Sequence, residues 1–213
     1  MNKGDLTKFI LRNRRIFLLL STMFVIGIIL GTLCVKGLSD IQKTELMDYL
    51  SNFFKVLSNT DNELNNNEMF FQLLFDNLKI YGLLMLFGLI TIGMVGIPAL
   101  VVIKGFILGF TIGFILDELY LMGFLFSLFV IFPQNILYII GLIFSSSMGI
   151  MMSHEKYSSK RKYRMRGNGK RGLQQIGSYA IVILISYIIT ALGCAFEAYI
   201  TPIFMIFFSN KLF

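Results

Sequence analysis

The sequence predicts an all-α fold of the membrane class: a polytopic helix bundle of about five transmembrane helices, the fourth kinked or partly re-entrant at Pro133. Three observations carry this prediction. Hydrophobic residues make up 56% of the 213-residue chain and charged residues 15%, against about 25% charged in soluble domains; mean hydropathy is +0.75. Four apolar tracts reach the roughly 20 helical residues needed to cross about 30 Å of hydrocarbon. Basic and acidic segments alternate between those tracts, as the positive-inside rule expects.

Residues 1–15 carry Lys3, Lys8, Arg12, Arg14 and Arg15 against Asp5, and the apolar run 16–35 follows. A signal peptide has a shorter apolar core of about 7–15 residues and a small-residue cleavage site. Here the first alanine is Ala99, so 16–35 is expected to be a retained first crossing with a cytoplasmic N-terminus. Gly27 and Gly31 form a GxxxG pair along it.

Residues 36–79 are polar and net acidic, with four lysines against seven carboxylates, and are expected on the extracytoplasmic side. Leu46, Tyr49, Leu50, Phe53, Phe54 and Leu57 recur at helical spacing, so 41–57 reads as an amphipathic helix. A turn-rich stretch, 58–67, precedes a second apolar patch at 69–75 that includes Phe70 and Phe71. These two patches either lie on the membrane surface and on each other or form a docking face. In the second case Tyr49, Leu50, Phe53, Phe54, Phe70 and Phe71 are the candidate partner-binding residues.

The central tract, 78–152, holds three crossings. Gly96-Ile97-Pro98 is expected to break the second from the third, with Pro98 opening the third helix. Gly105, Gly109 and Gly113 then recur every fourth residue. Such small-xxx-small ladders let helix backbones approach closely in lipid, where hydrophobic drive between helices is absent. Asp117 and Glu118 mark a solvated turn. The run 119–152 is too long for one straight helix and is interrupted at Pro133, where Gln134 and Asn135 could serve the freed backbone groups. Gly141, Ser145 and Gly149 repeat the small-residue ladder.

Residues 153–175 are strongly basic and therefore expected in the cytoplasm as an anionic-lipid anchor. A fifth crossing, 176–200, leaves the tail 201–213 extracytoplasmic. The net charge of +7 invites a nucleic-acid partner, but its placement beside apolar tracts fits membrane topology instead, and no nucleic acid is expected.

Intramembrane polar residues are few: Lys104, Gln134, Asn135 and Glu197. Lys104 either snorkels to headgroups or acts as a buried cation. With the third helix starting at Pro98, Glu197 would stand about 20 Å from it along the membrane normal, at 1.5 Å per residue. Glu197 either faces outer-interface water, with Tyr199 as an aromatic anchor, or pairs with a bundle donor such as Gln134 or Asn135. Cys34 and Cys194 show no metal or redox spacing, His154 is the one histidine, and no P-loop, HExxH or nucleophile elbow occurs. No catalytic set, metal or cofactor is expected.

In this order, four features carry a resemblance: Gly96-Ile97-Pro98; the run Lys104-Gly105-Phe106 through Phe114; Pro133-Gln134-Asn135; and Phe196-Glu197-Ala198-Tyr199 followed by Thr201-Pro202. The chain resembles the stage II sporulation protein M family of endospore-forming bacteria over essentially its whole length. The resemblance implies a non-catalytic scaffold in the mother-cell or septal membrane during engulfment. It implies as partners stage II sporulation proteins D and P, which remodel peptidoglycan, beside membrane lipid; a homo-oligomer stays open. The competing reading is a permease or channel-like protein using Lys104 and Glu197 in a polar path.

Overall fold

The computed structural model describes the backbone of residues 13–58, 66–162 and 169–212, and side chains over 13–52, 66–154 and 176–207. Among the described residues seven α-helices run in order: α1 Arg14–Lys36, α2 Asp40–Ser58, α3 Asn66–Leu89, α4 Gly93–Phe126, α5 Phe132–Lys162, α6 Gly169–Tyr199 and α7 Thr201–Leu212. A π-helical turn, Ser127–Ile131, joins α4 to α5. Among the described residues there is no strand. The architecture is thus the helical membrane bundle that the composition predicts.

Four elements are long and apolar enough to cross a membrane: Arg14–Lys36, Asn66–Leu89, the 62-residue Gly93–His154, and Ile176–Phe207. The third is two rods, not one. At Tyr120 the backbone takes φ 47° and ψ −122°, and beyond it Gly123 lies against the Ile115 carbonyl. Only the lack of a Cβ at Gly123 allows that approach. The chain therefore reverses just after Asp117 and Glu118, and four hydrophobic elements give about five crossings. One end of the bundle carries Arg14, the 90–92 link and His154; it is called the near end here. The far end carries Lys36, Asp117 and Tyr199.

α1 stops at Lys36, with the Gly37 amide donating to the Cys34 carbonyl at 3.0 Å and the Leu38 amide to the Val35 carbonyl at 3.2 Å. Ser39 and Gln42 then form a reciprocal capping box, the Gln42 side chain accepting from the Ser39 amide at 3.0 Å and the Ser39 hydroxyl from the Gln42 amide at 3.4 Å. That box starts α2, which folds across the far end. Its Leu46, Met47 and Leu50 pack with Phe114, Phe126, Val130 and Phe204.

Two boundaries differ from the sequence expectation. α3 begins at Asn66, taking in the 69–75 patch, and it ends at Leu89. The break before α4 falls at 90–92, not at Gly96–Pro98. Gly93 explains the position, because a Cβ there would fall on the Phe87 carbonyl. The Ser153 hydroxyl donates to the carbonyls of Ile90 at 2.8 Å and Thr91 at 3.1 Å, tying the link after α3 to α5. Pro98 sits inside α4 and costs it one backbone bond, to Met94.

The irregularity near Pro133 lies upstream of it, in the π-helical turn. Pro133 cannot donate to the Phe129 carbonyl and its ring crowds that oxygen, so the ladder widens over the preceding turn. The Asn135 side chain donates to the Ile131 carbonyl at 2.7 Å inside that turn.

Candidate functional site

Three constructions hold the membrane-embedded part together. The first is a glycine seam between α1 and α4, the most extensive helix pairing in the molecule. A Cβ on Gly27 would fall on the Val102 carbonyl, and one on Gly31 on the Phe106 carbonyl; Gly105 and Gly109 likewise meet the Phe24 and Ile28 carbonyls. Gly113 lies on Thr32, whose hydroxyl also reaches the Gly109 carbonyl at 3.2 Å. Residue numbers rise together along both helices, so the pair is parallel. The two ladders are one interface, made by backbones that approach without intervening side chains.

The second construction joins α3 to α6 through tyrosine hydroxyls. Tyr179 donates to the Leu84 carbonyl at 2.6 Å and Tyr187 to the Leu74 carbonyl at 3.1 Å. Tyr81 bonds the Thr190 hydroxyl at 2.6 Å. Small residues of α5 make room for these rings: Gly141 abuts the Tyr81 hydroxyl and Gly149 the Tyr179 hydroxyl. Ser145 between them is buried and returns its hydroxyl to the Gly141 carbonyl at 2.6 Å. The third small-residue ladder thus seats aromatic rings, whereas the first two seat backbone.

The third is a polar cavity of about 440 Å³ between α3, α4, α5 and α6. Lys104, Asn77, Gln134, Asn135, Tyr138 and Glu197 supply its polar wall. Leu50 of α2 and Met205 of α7 line its far end. A smaller recess of about 70 Å³ continues inward past Lys104 to Tyr81 and Thr190. Because α4 starts at Gly93, Lys104 lies roughly 16 Å along the helix at 1.5 Å per residue, near the middle of a ~30 Å core. That depth exceeds what Pro98 as the helix start implied. Lys104 and Glu197, expected far apart, line the same cavity; among the described residues no direct ion pair joins them.

Glu197 accepts from the Tyr138 hydroxyl at 2.6 Å. Of the two bundle donors considered for it, Gln134 accepts from the Thr201 hydroxyl at 2.9 Å and Asn135 donates to the Ile131 carbonyl. Cys194 is free and buried, with the Asn77 amide at 3.4 Å and the Tyr138 hydroxyl at 3.5 Å from its sulfur; Cys34 is free and exposed. Among the described residues no three His, Cys, Asp or Glu side chains converge as a metal site would need.

At the far end the amphipathic residues divide. Leu50 is half-buried against the bundle, and Phe70 contacts the rings of Phe71 and Tyr199 at centroid distances of 5.8 and 6.0 Å. Tyr199 in turn donates to Asn67 at 2.6 Å. Tyr49 and Phe71 remain 75% and 57% exposed. The Phe53 and Phe54 side chains lie outside the described residues. α2 is fastened by an ion pair between Lys43 and Asp117.

A membrane bundle with a glycine-seamed core and an amphipathic cap gives the setting for the comparison with known families. The model of stage II sporulation protein M matches residues 20–202, which is most of the chain. The chain belongs to the stage II sporulation protein M family. It is therefore a sporulation-related, multi-pass membrane protein. No curated protein matches, and no solved structure matches. Within this member of the stage II sporulation protein M family, Tyr81, Tyr138, Tyr179, Tyr187 and Thr190 were invisible as polar-site residues in the sequence. Tyrosine in an apolar tract carries no periodic signal, and its hydroxyl's partner is set by a helix about a hundred residues away.

Proposed function

We propose that this protein is a non-catalytic platform in the membrane, recruiting peptidoglycan-remodelling enzymes to the septum during forespore engulfment. The single observation that carries the reading is the far end itself. There α2 is clasped onto the bundle through Lys43 and Asp117 while Tyr49 and Phe71 point outward. α2 lays Leu46, Met47 and Leu50 against its own bundle and leaves Tyr49 exposed, as α3 leaves Phe71; exposed aromatic residues on a fastened helix suit a protein partner. The partners in this reading are stage II sporulation proteins D and P. The orientation proposed has the N-terminus and 153–175 in the cytoplasm and 36–79 with the C-terminal tail outside, supported by the charge distribution of those segments.

The test is to replace Tyr49 and Phe71 by glutamate and to follow co-purification and septal recruitment of the two enzymes. Loss of both, with normal membrane levels of the variant, is the expected result. Unchanged recruitment removes the far end from the proposal. Transport is a second reading, favoured by Lys104 and Glu197 sharing one cavity. Glutamine at both positions would abolish flux in a transporter and leave recruitment by a platform intact.

A further inference from the structure

The 440 Å³ cavity is not closed toward the bilayer. Its lining includes Asp76 and Leu73 of α3 and Ile107 and Thr111 of α4, and of these Asp76, Ile107 and Thr111 are exposed. The opening therefore lies sideways, between α3 and α4, where acyl chains stand in a membrane. Leu50 and Met205 line its far end. A ligand entering between α3 and α4 comes from the lipid phase.

Size and charge narrow the occupant. A helix about 10 Å across fills roughly 120 Å³ per residue at its 1.5 Å rise, so the space holds about four residues of one, far short of a crossing. It lies within the ~300–1,000 Å³ range of small-ligand pockets. The lining is largely apolar through Leu73, Ile80, Ile107 and Leu108, with the exposed Asp76 carboxylate and Thr111 hydroxyl at the mouth, while Lys104 and Glu197 supply a cation and a carboxylate further in. Among the described residues Lys104 has no ion-pair partner. Glu197 holds one donor, from Tyr138, and keeps acceptor sites free. Charges that make no direct ion pair at this depth are costly in hydrocarbon.

From this juxtaposition we infer that the cleft between α3 and α4 binds a membrane amphiphile by a zwitterionic phosphate–amine headgroup. Its phosphate oxygen meets Lys104 and its ammonium meets Glu197, while the acyl chains leave between Ile107 and Leu73. The inference is independent of the platform role, since it concerns a different part of the molecule and a different ligand.

The test uses the full chain purified in mild detergent and reconstituted in nanodiscs. Retained lipid is read by native mass spectrometry, and competition is run with phosphatidylethanolamine, phosphatidylglycerol and soluble phosphoethanolamine. Phosphatidylethanolamine should be retained preferentially. Lys104→Gln and Glu197→Gln should each weaken retention by about tenfold or more, the scale of one charge-assisted hydrogen bond. Thr111→Phe, an exposed position at the mouth, should weaken it too while leaving thermal unfolding unchanged, which keeps the test decisive if the charge variants misfold. Equal retention of both lipids, or retention indifferent to Thr111→Phe, overturns the inference. So does soluble phosphoethanolamine competing as well as the lipid, because the head would then be drawn from water.

Discussion

Gly31 and Gly82 are both helical glycines, and they differ in what stands beyond the missing Cβ. At Gly31 it is the Phe106 carbonyl, with the Phe110 amide 2.6 Å away; at Gly82 nothing lies within 4 Å. Gly31→Ala should therefore destabilise by about 1–3 kcal/mol, the usual scale of overpacking. Gly82→Ala should be neutral or stabilising by up to about 1 kcal/mol, from backbone entropy alone. Denaturant or thermal unfolding in detergent measures both, and equal effects would dissolve the distinction. Tyr179→Phe removes the donor to the Leu84 carbonyl without changing shape, a loss of about 0.6–2 kcal/mol for an interhelical bond in lipid. The glycines were legible because small residues four apart read out directly from the sequence. The tyrosines were not: Tyr81, Tyr179 and Tyr187 look like ordinary apolar-tract residues until α3 and α6 are set side by side.

α2 is a helix whose attachment rests partly on charge. The hydrogen bond to Asp117 raises the Lys43 pKa above its ordinary 10.5, with further help from the nearby Asp117, Glu118 and Asp40 charges and against partial desolvation. A folded-state pKa lying above the unfolded one stabilises fully below about pH 10.5 and fades as pH rises through the raised value. A fluorescent probe at exposed Tyr49 should report release of α2 over that alkaline window, and Asp117→Asn should abolish the step. The π-helical turn makes a second case. Pro133→Ala restores a donor for the Phe129 carbonyl and lets the turn relax to α-helical register, rotating Ser127, Val130 and Ile131 away from the far-end cluster they are buried in. Stability should fall although a proline has been removed from a helix; a rise would show that the turn has another cause. From the sequence Pro133 marked the neighbourhood of this irregularity but not its position. A missing donor at 133 acts on the carbonyl one turn earlier. The 90–92 break was misplaced for a similar reason, because Gly96-Ile97-Pro98 is the louder signal and Gly93 the one against which the Phe87 carbonyl packs.

Over the whole molecule, side chains face lipid where they meet no helix. Ile29 on α1 is half exposed, and Ile29→Arg should cost about 2.5–3.5 kcal/mol of insertion free energy at the helix centre. Ile41 of α2 is also exposed, yet Ile41→Arg should leave insertion unchanged, since α2 caps the bundle; glycosylation-based insertion assays separate the two. The bundle class was readable from hydropathy alone. The pairing of crossings was not, since nothing in Gly27-xxx-Gly31 names Gly105 as its mate. That pairing bears on how the protein is made. The two halves of the seam are separated by about 80 residues of chain, and at roughly 5–20 residues per second the ribosome needs on the order of 4–16 s between them. For that interval the first helix waits in the bilayer with its grooved side unfilled, so nascent chains halted before Gly105 should be the ones that membrane quality control removes.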